Sequence, residues 1–174
     1  MKIKLKKINR LSECSKDDII KWVKWLNDKE VTKYSEQRFK KHTKLSQINF
    51  INFKLKDKKS FLFKIIFENN FIGVIELGNM DHQHSNCEIM YIIGEQKYWS
   101  KGIGTRSINL ALKFAEKNKI KKVYAGVYSN NFPSINVLKK NKFKLEGKIS
   151  NFYNYTLQKK IIRVSKLILG HNLK

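Results

Sequence analysis

The sequence predicts an α/β (α+β) fold in which about four helices cover both faces of a mixed central β-sheet of about seven strands. Segments with the alternation or short apolar runs of strands outnumber those with helical spacing, and helices follow several of the strands. The chain has one proline and no low-complexity linker, so residues 1–174 are expected to form a single domain. A hydrophobic fraction of 41% suits a folded core.

The first third of the chain predicts one strand and two helices. "KIKLKKI" (residues 2–8) alternates apolar and basic residues, as an edge strand does. Ser15 and Asp18 have the spacing of a capping box, and an apolar stripe follows them, which predicts a helix over residues 15–28. Helical spacing returns over residues 44–56.

The middle of the chain predicts a hairpin followed by a third strand. Two apolar runs, residues 60–67 and 71–77, are separated by the short turn "ENN". A polar, turn-rich connection then leads to a strand over residues 87–93.

The last third predicts two helices among three strands. A broad apolar face at helical spacing predicts a helix over residues 105–119, and a strand follows over residues 122–128. A short helix over residues 134–141 precedes strands over residues 143–149 and 160–169, which are joined by a polar, aromatic loop. The last strand is expected at a sheet edge, where it would permit a homodimer.

The formal net charge of +23 is large, but the basic residues are not distributed in a way that indicates a particular binding partner. Of the 37 basic residues, 33 are lysines, and they are spread along the chain together with many Asn and Ile residues. This pattern is typical of a solvated basic surface and makes nucleic-acid binding unlikely as a main function, because nucleic-acid readers cluster their basic residues and favour arginine. Such a field would still attract phosphorylated ligands.

Several other classes of protein are disfavoured. No apolar run reaches membrane-spanning length, and no signal-peptide pattern follows the basic start, so we expect a cytoplasmic protein without membrane contact. Cys14 and Cys87 are too few for a disulfide framework and are expected to be reduced thiols. His82, His84 and Cys87 lack the spacing of a zinc site, so no metal is expected.

The stretch "YWSKGIGT" (residues 98–105) points to an anion-binding loop. It follows a predicted strand and precedes a predicted helix, and it places Gly102 and Gly104 one residue apart. Glycine permits unusual backbone angles and a close approach by a phosphate, and the N-terminus of a helix favours negative charge. The loop lacks the Lys-Ser/Thr ending of a Walker motif and the third glycine of a dinucleotide-binding motif.

Two longer stretches carry a family resemblance. "YIIGEQKYWSKGIGTRSINLALKFA" followed by "VYSNNFPSINVLKKNKFKLEG" resembles the GNAT superfamily of acetyl-coenzyme A N-acetyltransferases. Within it, the sequence is most similar to the branch of ribosomal-protein Nα-acetyltransferases and nucleotide-sugar amine acetyltransferases. The resemblance implies the GNAT fold, whose central sheet contains a splayed pair of strands. Lys142 replaces a usual glycine after the second motif, so we expect Asn141 to close the preceding helix in a left-handed conformation.

The resemblance also implies acetyl-CoA as the co-substrate. The splayed strand would offer its free backbone edge, at Met90, Tyr91 and Ile92, to the pantetheine arm. Asn131 would hold that arm or the nearby loop. The residues expected to bind the pyrophosphate through backbone amides are Trp99, Ser100, Lys101, Gly102, Ile103, Gly104 and Thr105.

For the chemistry, the resemblance implies Glu88 as a general base acting through ordered water; the other interpretation is a structural carboxylate bonded to the loop. A backbone amide at Tyr91–Ile92 would stabilise the oxyanion. Many members of the family use a tyrosine as the general acid that protonates the leaving thiolate, and Leu138 occupies the position of that tyrosine. The resemblance to parts of this branch implies Ser134 as the acid instead. Ser134 could instead simply cap its helix. Tyr91 and Tyr128 are weaker candidates.

The segment "WLNDKEVTKYSEQRFKKHT" (residues 25–43) resembles the acceptor-binding segment of amino-sugar acetyltransferases found with surface-polysaccharide enzymes. The resemblance favours a nucleotide-linked amino sugar as the acceptor, with arginine gripping its phosphates and aromatic rings packing on its sugar or base. A basic surface loop is the plain alternative. The candidate acceptor-binding residues are Tyr34, Arg38, His42, Glu76, His84 and Tyr153.

Three other functions remain open from the sequence. A protein N-terminus could replace the amino sugar as the acceptor, although the strongly basic chain disfavours a basic or ammonium-bearing peptide. A basic nucleic-acid-binding module without catalysis and a CoA-binding regulatory protein are the non-enzymatic alternatives.

Overall fold

The computed structural model describes residues 2–157 and 160–174. The helices are α1 (Lys16–Asn27), α2 (Lys44–Lys56), α3 (Ile103–Lys117) and α4 (Phe132–Lys140). The strands are β1 (Ile3–Lys7), β2 (Phe61–Phe67), β3 (Asn70–Asp81), β4 (Asn86–Ile93), β5 (Lys122–Tyr128), β6 (Lys144–Leu157) and β7 (Lys160–Asn172). This order of helices and strands confirms the predicted one.

The seven strands form one sheet in the order β1-β2-β3-β4-β5-β7-β6. Every neighbouring pair is antiparallel except β4 and β5, which are parallel. Strand β4 pairs with β3 as far as Ile93, but it pairs with β5 only where Asn86–Glu88 meets Lys122–Tyr124. The remainder of β4 therefore has a free backbone edge on the β5 side, which confirms the predicted splayed pair.

Helices pack on both faces of this sheet because its strands carry apolar side chains on both sides. On one face, α3 and α4 bury a core that includes Ile108 and Leu138 against Ile75 and Ile89. On the other face, α1 and α2 bury a second core, which contains Trp22, Trp25, Ile51 and Val74. Odd-numbered β4 residues after Glu88 thus face α3 and α4, and even-numbered ones face α1 and α2.

The capping box predicted for α1 is present. The hydroxyl oxygen of Ser15 accepts a hydrogen bond from the Asp18 amide at 3.1 Å, and the Asp18 carboxylate accepts one from the Ser15 amide at 3.1 Å. The same arrangement, formed by Thr43 and Ser46, begins α2. Both helices therefore start at defined residues, and the segment between them is fixed at its two ends.

The prediction of a polar, aromatic loop after residue 149 is wrong. Strand β6 continues through this segment as far as Leu157, and its Tyr153 and Tyr155 pair with Val164 and Ile162 of β7. Bulges between Leu145 and Gly147 and between Ile149 and Tyr153 interrupt the alternation of apolar residues that reveals a strand in sequence.

The prediction that the C-terminal strand lies at a sheet edge is also wrong. Strand β7 lies between β5 and β6, and β6 is the edge strand at this end of the sheet. The long β6–β7 hairpin explains the order, because β7 folds back on β6 and then offers its other side to β5.

The end of α4 differs from the expectation that Asn141 would be left-handed. The left-handed residue is Lys142 itself, with φ of 65°, whereas Asn141 has φ of −94°. The amide of Phe143 donates to the carbonyl of Leu138, and the amide of Lys142 donates to the carbonyl of Lys139, which together form a Schellman motif. Asn141 is the C-cap of α4, and its side chain has another role, described below.

Candidate active site

Gly102 determines the shape of the loop between β4 and α3. It is the N-cap of α3 and has φ of 74°, in the left-handed region that glycine adopts without steric cost. A Cβ placed on Gly102 would have no atom within 4 Å, so open space rather than protein lies beside it. The amides that follow are the first of α3 and have no acceptor within the helix. The loop therefore has the geometry of an anion-binding site.

Trp99 connects this loop to the end of β4. Its indole nitrogen donates to the carbonyl of Ile93 at 2.8 Å, and its amide donates to the carbonyl of Gln96 at 2.9 Å. Because the Trp99 amide already has an acceptor, the amides from Ser100 to Thr105 are the ones that this geometry leaves for a phosphate.

Asn141 is a loop-positioning residue that the sequence did not reveal. It is buried, and its Nδ2 donates to the carbonyl of Thr105 at 3.1 Å and to that of Val137 at 3.0 Å. This side chain ties the first turn of α3 to the last turn of α4. The signal was present in the sequence as an asparagine at the end of a helix, but its distant partner was not.

Ser134 is held by two partners next to the free edge of β4. The Tyr91 hydroxyl donates to Ser134 Oγ at 2.9 Å, and the side-chain oxygen of Asn131 accepts the Ser134 amide at 3.3 Å. Burial raises the pKa of Tyr91 to about 12, although the bond to Ser134 opposes this rise. Tyr91 therefore stays protonated at neutral pH and keeps donating to Ser134. Asn131 caps α4, so its expected contact with the pantetheine arm stays a prediction.

Glu88 lies on the opposite face of β4 from Tyr91. Its Oε2 accepts a hydrogen bond from Nδ2 of Asn79 at 2.8 Å. Asn79 has φ of 50° and lies in an irregularity of β3 between Gly78 and Asp81. This irregularity belongs to the part of β3 that the sequence predicted as a turn, so the contact between Asn79 and Glu88 was missed.

A cavity of about 460 Å³ lies between the short 3₁₀ segment Glu36–Phe39 and the β6–β7 hairpin. Its walls combine aromatic rings with both signs of charge, a composition that suits a polar ligand with a ring or sugar. It is lined by Glu36, Phe39, Phe152, Tyr153, Asn154, Arg163 and Lys166.

Tyr153, which lines this cavity, belongs to a cluster of packed tyrosines. The rings of Tyr128 and Tyr153 stack with centroids 3.7 Å apart, and those of Tyr34 and Tyr155 stack at 5.5 Å. The Tyr128 hydroxyl donates to Glu36, and burial together with this bond raises the pKa of Tyr128.

Tyr153, on the cavity wall, is influenced by the charge of Glu88. Burial raises the pKa of Tyr153 to about 12, and the negative charges of Glu36 and Glu88 add to the rise. Glu88 is therefore close enough to act electrostatically on the cavity wall. The structure thus brings Tyr34 and Tyr153 together on the side of the sheet that carries Glu88.

Arg38 and His42 organise the segment next to the cavity. Nη1 of Arg38 donates to the carbonyl of Lys33 at 2.6 Å, and its Nη2 donates to the carbonyl of Asn154 on the hairpin. The ring Nε2 of His42 lies 3.1 Å from the carbonyl oxygen of Gln37. Both side chains hold backbone in place, and their contact with an acceptor stays a prediction.

Glu76 and His84 do not line the cavity. Glu76 is buried and forms an ion pair with Lys54 of α2 at 2.6 Å. His84 is exposed in the turn between β3 and β4, where its amide donates to Asp81 at 2.9 Å. Among the described residues, neither side chain contacts the cavity wall in a way that supports binding of the acceptor, so both roles stay predictions.

The described residues contain neither a metal-binding cluster nor a membrane-spanning helix. No group of three or more His, Cys, Asp or Glu side chains within residues 2–157 and 160–174 could hold a metal ion. In the same ranges, no helix combines the length and the apolar character needed to cross a membrane. Cys87 is fully buried, and burial raises the pKa of its thiol to about 12.

The fold and the glycine loop define the class of protein, and comparison with known families identifies it. Residues 10–144 match the family model described as the acetyltransferase (GNAT) domain. The chain belongs to the GNAT acetyltransferases and is an acetyl-CoA-dependent N-acetyltransferase.

Solved structures of other acetyltransferases share this fold. Spermidine N-acetyltransferase from Vibrio cholerae, solved with CoA and spermine, has 17% sequence identity and a TM-score of 0.81, with 98% of this chain and 95% of that chain covered. The microcin C7 self-immunity acetyltransferase, solved with acetyl-CoA and AMP, has 18% identity and a TM-score of 0.77, with 98% and 92% covered.

One relative is similar in sequence over part of the chain. An uncharacterized protein from Methanocaldococcus jannaschii is 35% identical over 81 residues, which are 46% of this chain. The match spans only 17% of the length of that protein.

Proposed function

We propose that the acceptor is the amino group of a nucleotide-linked amino sugar used in surface-polysaccharide synthesis. The observation that carries this proposal is the cavity beside Glu88, in which aromatic rings and cationic side chains face the same space. Rings pack on sugars and bases, and cations bind phosphates, so one cavity offers both contacts that such an acceptor needs.

The charge of the chain and one structural neighbour support the same acceptor. A formal net charge of +23 raises the local concentration of phosphorylated ligands and disfavours polycationic ones. The microcin C7 self-immunity acetyltransferase was solved with AMP, so this fold can accommodate a nucleotide in addition to acetyl-CoA.

In the proposed reaction, Glu88 accepts the proton of the acceptor amine through ordered water. A carboxylate is a much weaker base than an amine, so it needs water and the surrounding field to complete the transfer. The bond from Asn79 at 2.8 Å holds one oxygen of Glu88 and leaves the other to face the acceptor side.

Ser134 relays a proton to the departing thiolate of CoA: its hydroxyl proton passes to the sulfur while its oxygen takes a proton from ordered water. Its hydroxyl oxygen accepts a hydrogen bond from Tyr91, so its own proton is directed away from Tyr91. This pairing supplies the function of the tyrosine that Leu138 replaces. Glu88 and Ser134 lie on opposite faces of β4, as a base for the acceptor and an acid for the cofactor would need to be.

The first test is an acceptor screen. The purified protein is incubated with acetyl-CoA and UDP- or dTDP-linked amino sugars, or with N-terminal peptides, and the release of free CoA is measured. Turnover of a nucleotide-linked amino sugar is the expected result. Turnover of peptides alone would replace this proposal with protein Nα-acetylation.

A further inference from the structure

Gly126 lets a lysine side chain cross the surface of the sheet toward Glu88. A Cβ placed on Gly126 would lie 2.5 Å from Cε of Lys166, which is closer than packed atoms approach, and 3.2 Å from its Nζ, which is a tight contact. The same Cβ would lie 3.6 Å from Oε1 of Glu88. The absence of a side chain at residue 126 therefore makes room for the Lys166 ammonium on the Glu88 side of the sheet.

Lys166 differs from the two arginines around the cavity. Arg38 donates to the carbonyls of Lys33 and Asn154, and Arg163 donates to the carbonyl of Asn151 at 2.9 Å through its Nε. Both arginines are therefore occupied by backbone oxygens.

The Lys166 ammonium has no such partner. Within residues 2–157 and 160–174 it forms no ion pair, and its Nζ lies over the ring of Phe152, 5.2 Å from the centroid. Lys166 is half-buried, and a lysine in such a position without a carboxylate partner gains more from an anionic ligand than a fully exposed lysine does.

We infer that Lys166 binds a phosphate group of the acceptor in the cavity next to Glu88. The inference rests on the proposed function, because it takes the acceptor to be phosphorylated. Its ammonium offers donors to phosphate oxygens, and charge-assisted bonds of this kind are stronger than neutral ones. Lys166 is thus a binding residue that selects phosphorylated acceptors, and Gly126 is a positioning residue that allows it.

UDP titrated into the CoA-saturated protein tests this inference directly. Saturation with CoA occupies the pyrophosphate loop, so the titration reports a second phosphate site. At physiological salt we expect Lys166→Met to weaken UDP binding about tenfold or more, as measured by isothermal titration calorimetry. Inorganic pyrophosphate should show the same ratio, because the contact is to phosphate and not to the base.

Lys148→Met is the matched control. Lys148 is exposed on β6 and pairs with Leu167, the neighbour of Lys166, so the variant removes the same charge from the opposite face of the hairpin. We expect its affinity for UDP to equal that of the unaltered protein. Equal weakening in both lysine variants, or no binding of UDP to the unaltered CoA complex, would overturn the inference.

Gly126→Ala offers a second variant that leaves the lysine in place. The new Cβ would displace only the flexible end of Lys166, so the protein should fold and keep its melting temperature within a few degrees. We expect weaker UDP binding, by about threefold to tenfold. If Gly126→Ala bound UDP as tightly as the unaltered protein does, the position of the Lys166 side chain would not depend on Gly126.

Turnover separates this inference from the proposed function. If a UDP-linked amino sugar is acetylated and Lys166→Met leaves its KM unchanged, the inference is wrong and the proposed function stands. If Lys166 determines UDP binding but no nucleotide-linked amino sugar is acetylated, the phosphate site stands and the proposed acceptor is wrong.

Discussion

The two sides of the splayed strand pair are built from different parts of the chain. On the proposed cofactor side, the groups available for contacts belong to the backbone: the left-handed Gly102, the first amides of α3 and the free edge of β4. On the proposed acceptor side, the cavity is lined by side chains from distant segments, such as those of Glu36, Tyr153 and Lys166. A site made of backbone groups suits a ligand that is the same in all related proteins, because these groups are available in any sequence that keeps the turn at Gly102.

This difference explains how one fold can keep its cofactor while changing its acceptor. A backbone site depends on a few residues whose conformation is constrained, so most substitutions leave it intact. A side-chain site changes with every residue that lines it. In this chain the cavity proposed for the acceptor lies on the 3₁₀ segment Glu36–Phe39 and the β6–β7 hairpin, which are separate in sequence from β4 and α3.

The largest effect is expected from a change at the backbone site. Gly102→Asp should abolish CoA binding, because it places a side chain and a negative charge in the open space beside the loop. Calorimetric titration with CoA measures the loss, and circular dichroism verifies the fold.

Gly102→Asn provides the control for charge. Both residues tolerate the left-handed conformation better than most, so the two variants should be similarly folded. The asparagine variant should retain weak CoA binding. Equal affinity for CoA in Gly102→Asp and in the unaltered protein would remove this loop from the cofactor site.

The contrast between the two sides also accounts for what the sequence could predict. The glycine loop and its helix were predictable because both lie within one short stretch, from Trp99 to Lys117. The bond between Asn79 and Glu88 was not, since it depends on an irregularity that places Asn79 at a left-handed angle. The position of Lys166 depends on Gly126 in a neighbouring strand, and no local pattern records which strands become neighbours.

A smaller loss is expected from the proposed base. Glu88→Gln should lower kcat by about 10²-fold or more and remove the acidic limb of the pH profile, because an amide cannot accept the proton. Steady-state kinetics over a range of pH measures both. The affinity for CoA should not change, since Glu88 faces away from Tyr91 and Ser134. Kinetics close to those of the unaltered protein would exclude Glu88 as the base.

A change in the acceptor wall should be smaller still. Arg38→Ala should raise the KM of the acceptor about tenfold and leave that of acetyl-CoA unchanged, because Arg38 joins the segment after Lys33 to the hairpin at Asn154. Arg38→Lys keeps the charge but cannot reproduce both bonds, so it should behave like the alanine variant. A change in the KM of acetyl-CoA instead would place Arg38 on the cofactor side.

The smallest effect concerns stability on the cofactor side. Lys142 has φ of 65° at the end of α4, where glycine would avoid a steric cost of about 1 kcal/mol. Lys142→Gly should therefore raise the free energy of unfolding by about that amount, measured by urea denaturation. Lys139→Gly, within the same helix, should lower it by about 1 kcal/mol. If both glycine variants were destabilised, the Schellman motif would not be the closure that holds α4, and with it Ser134, against the β4 edge.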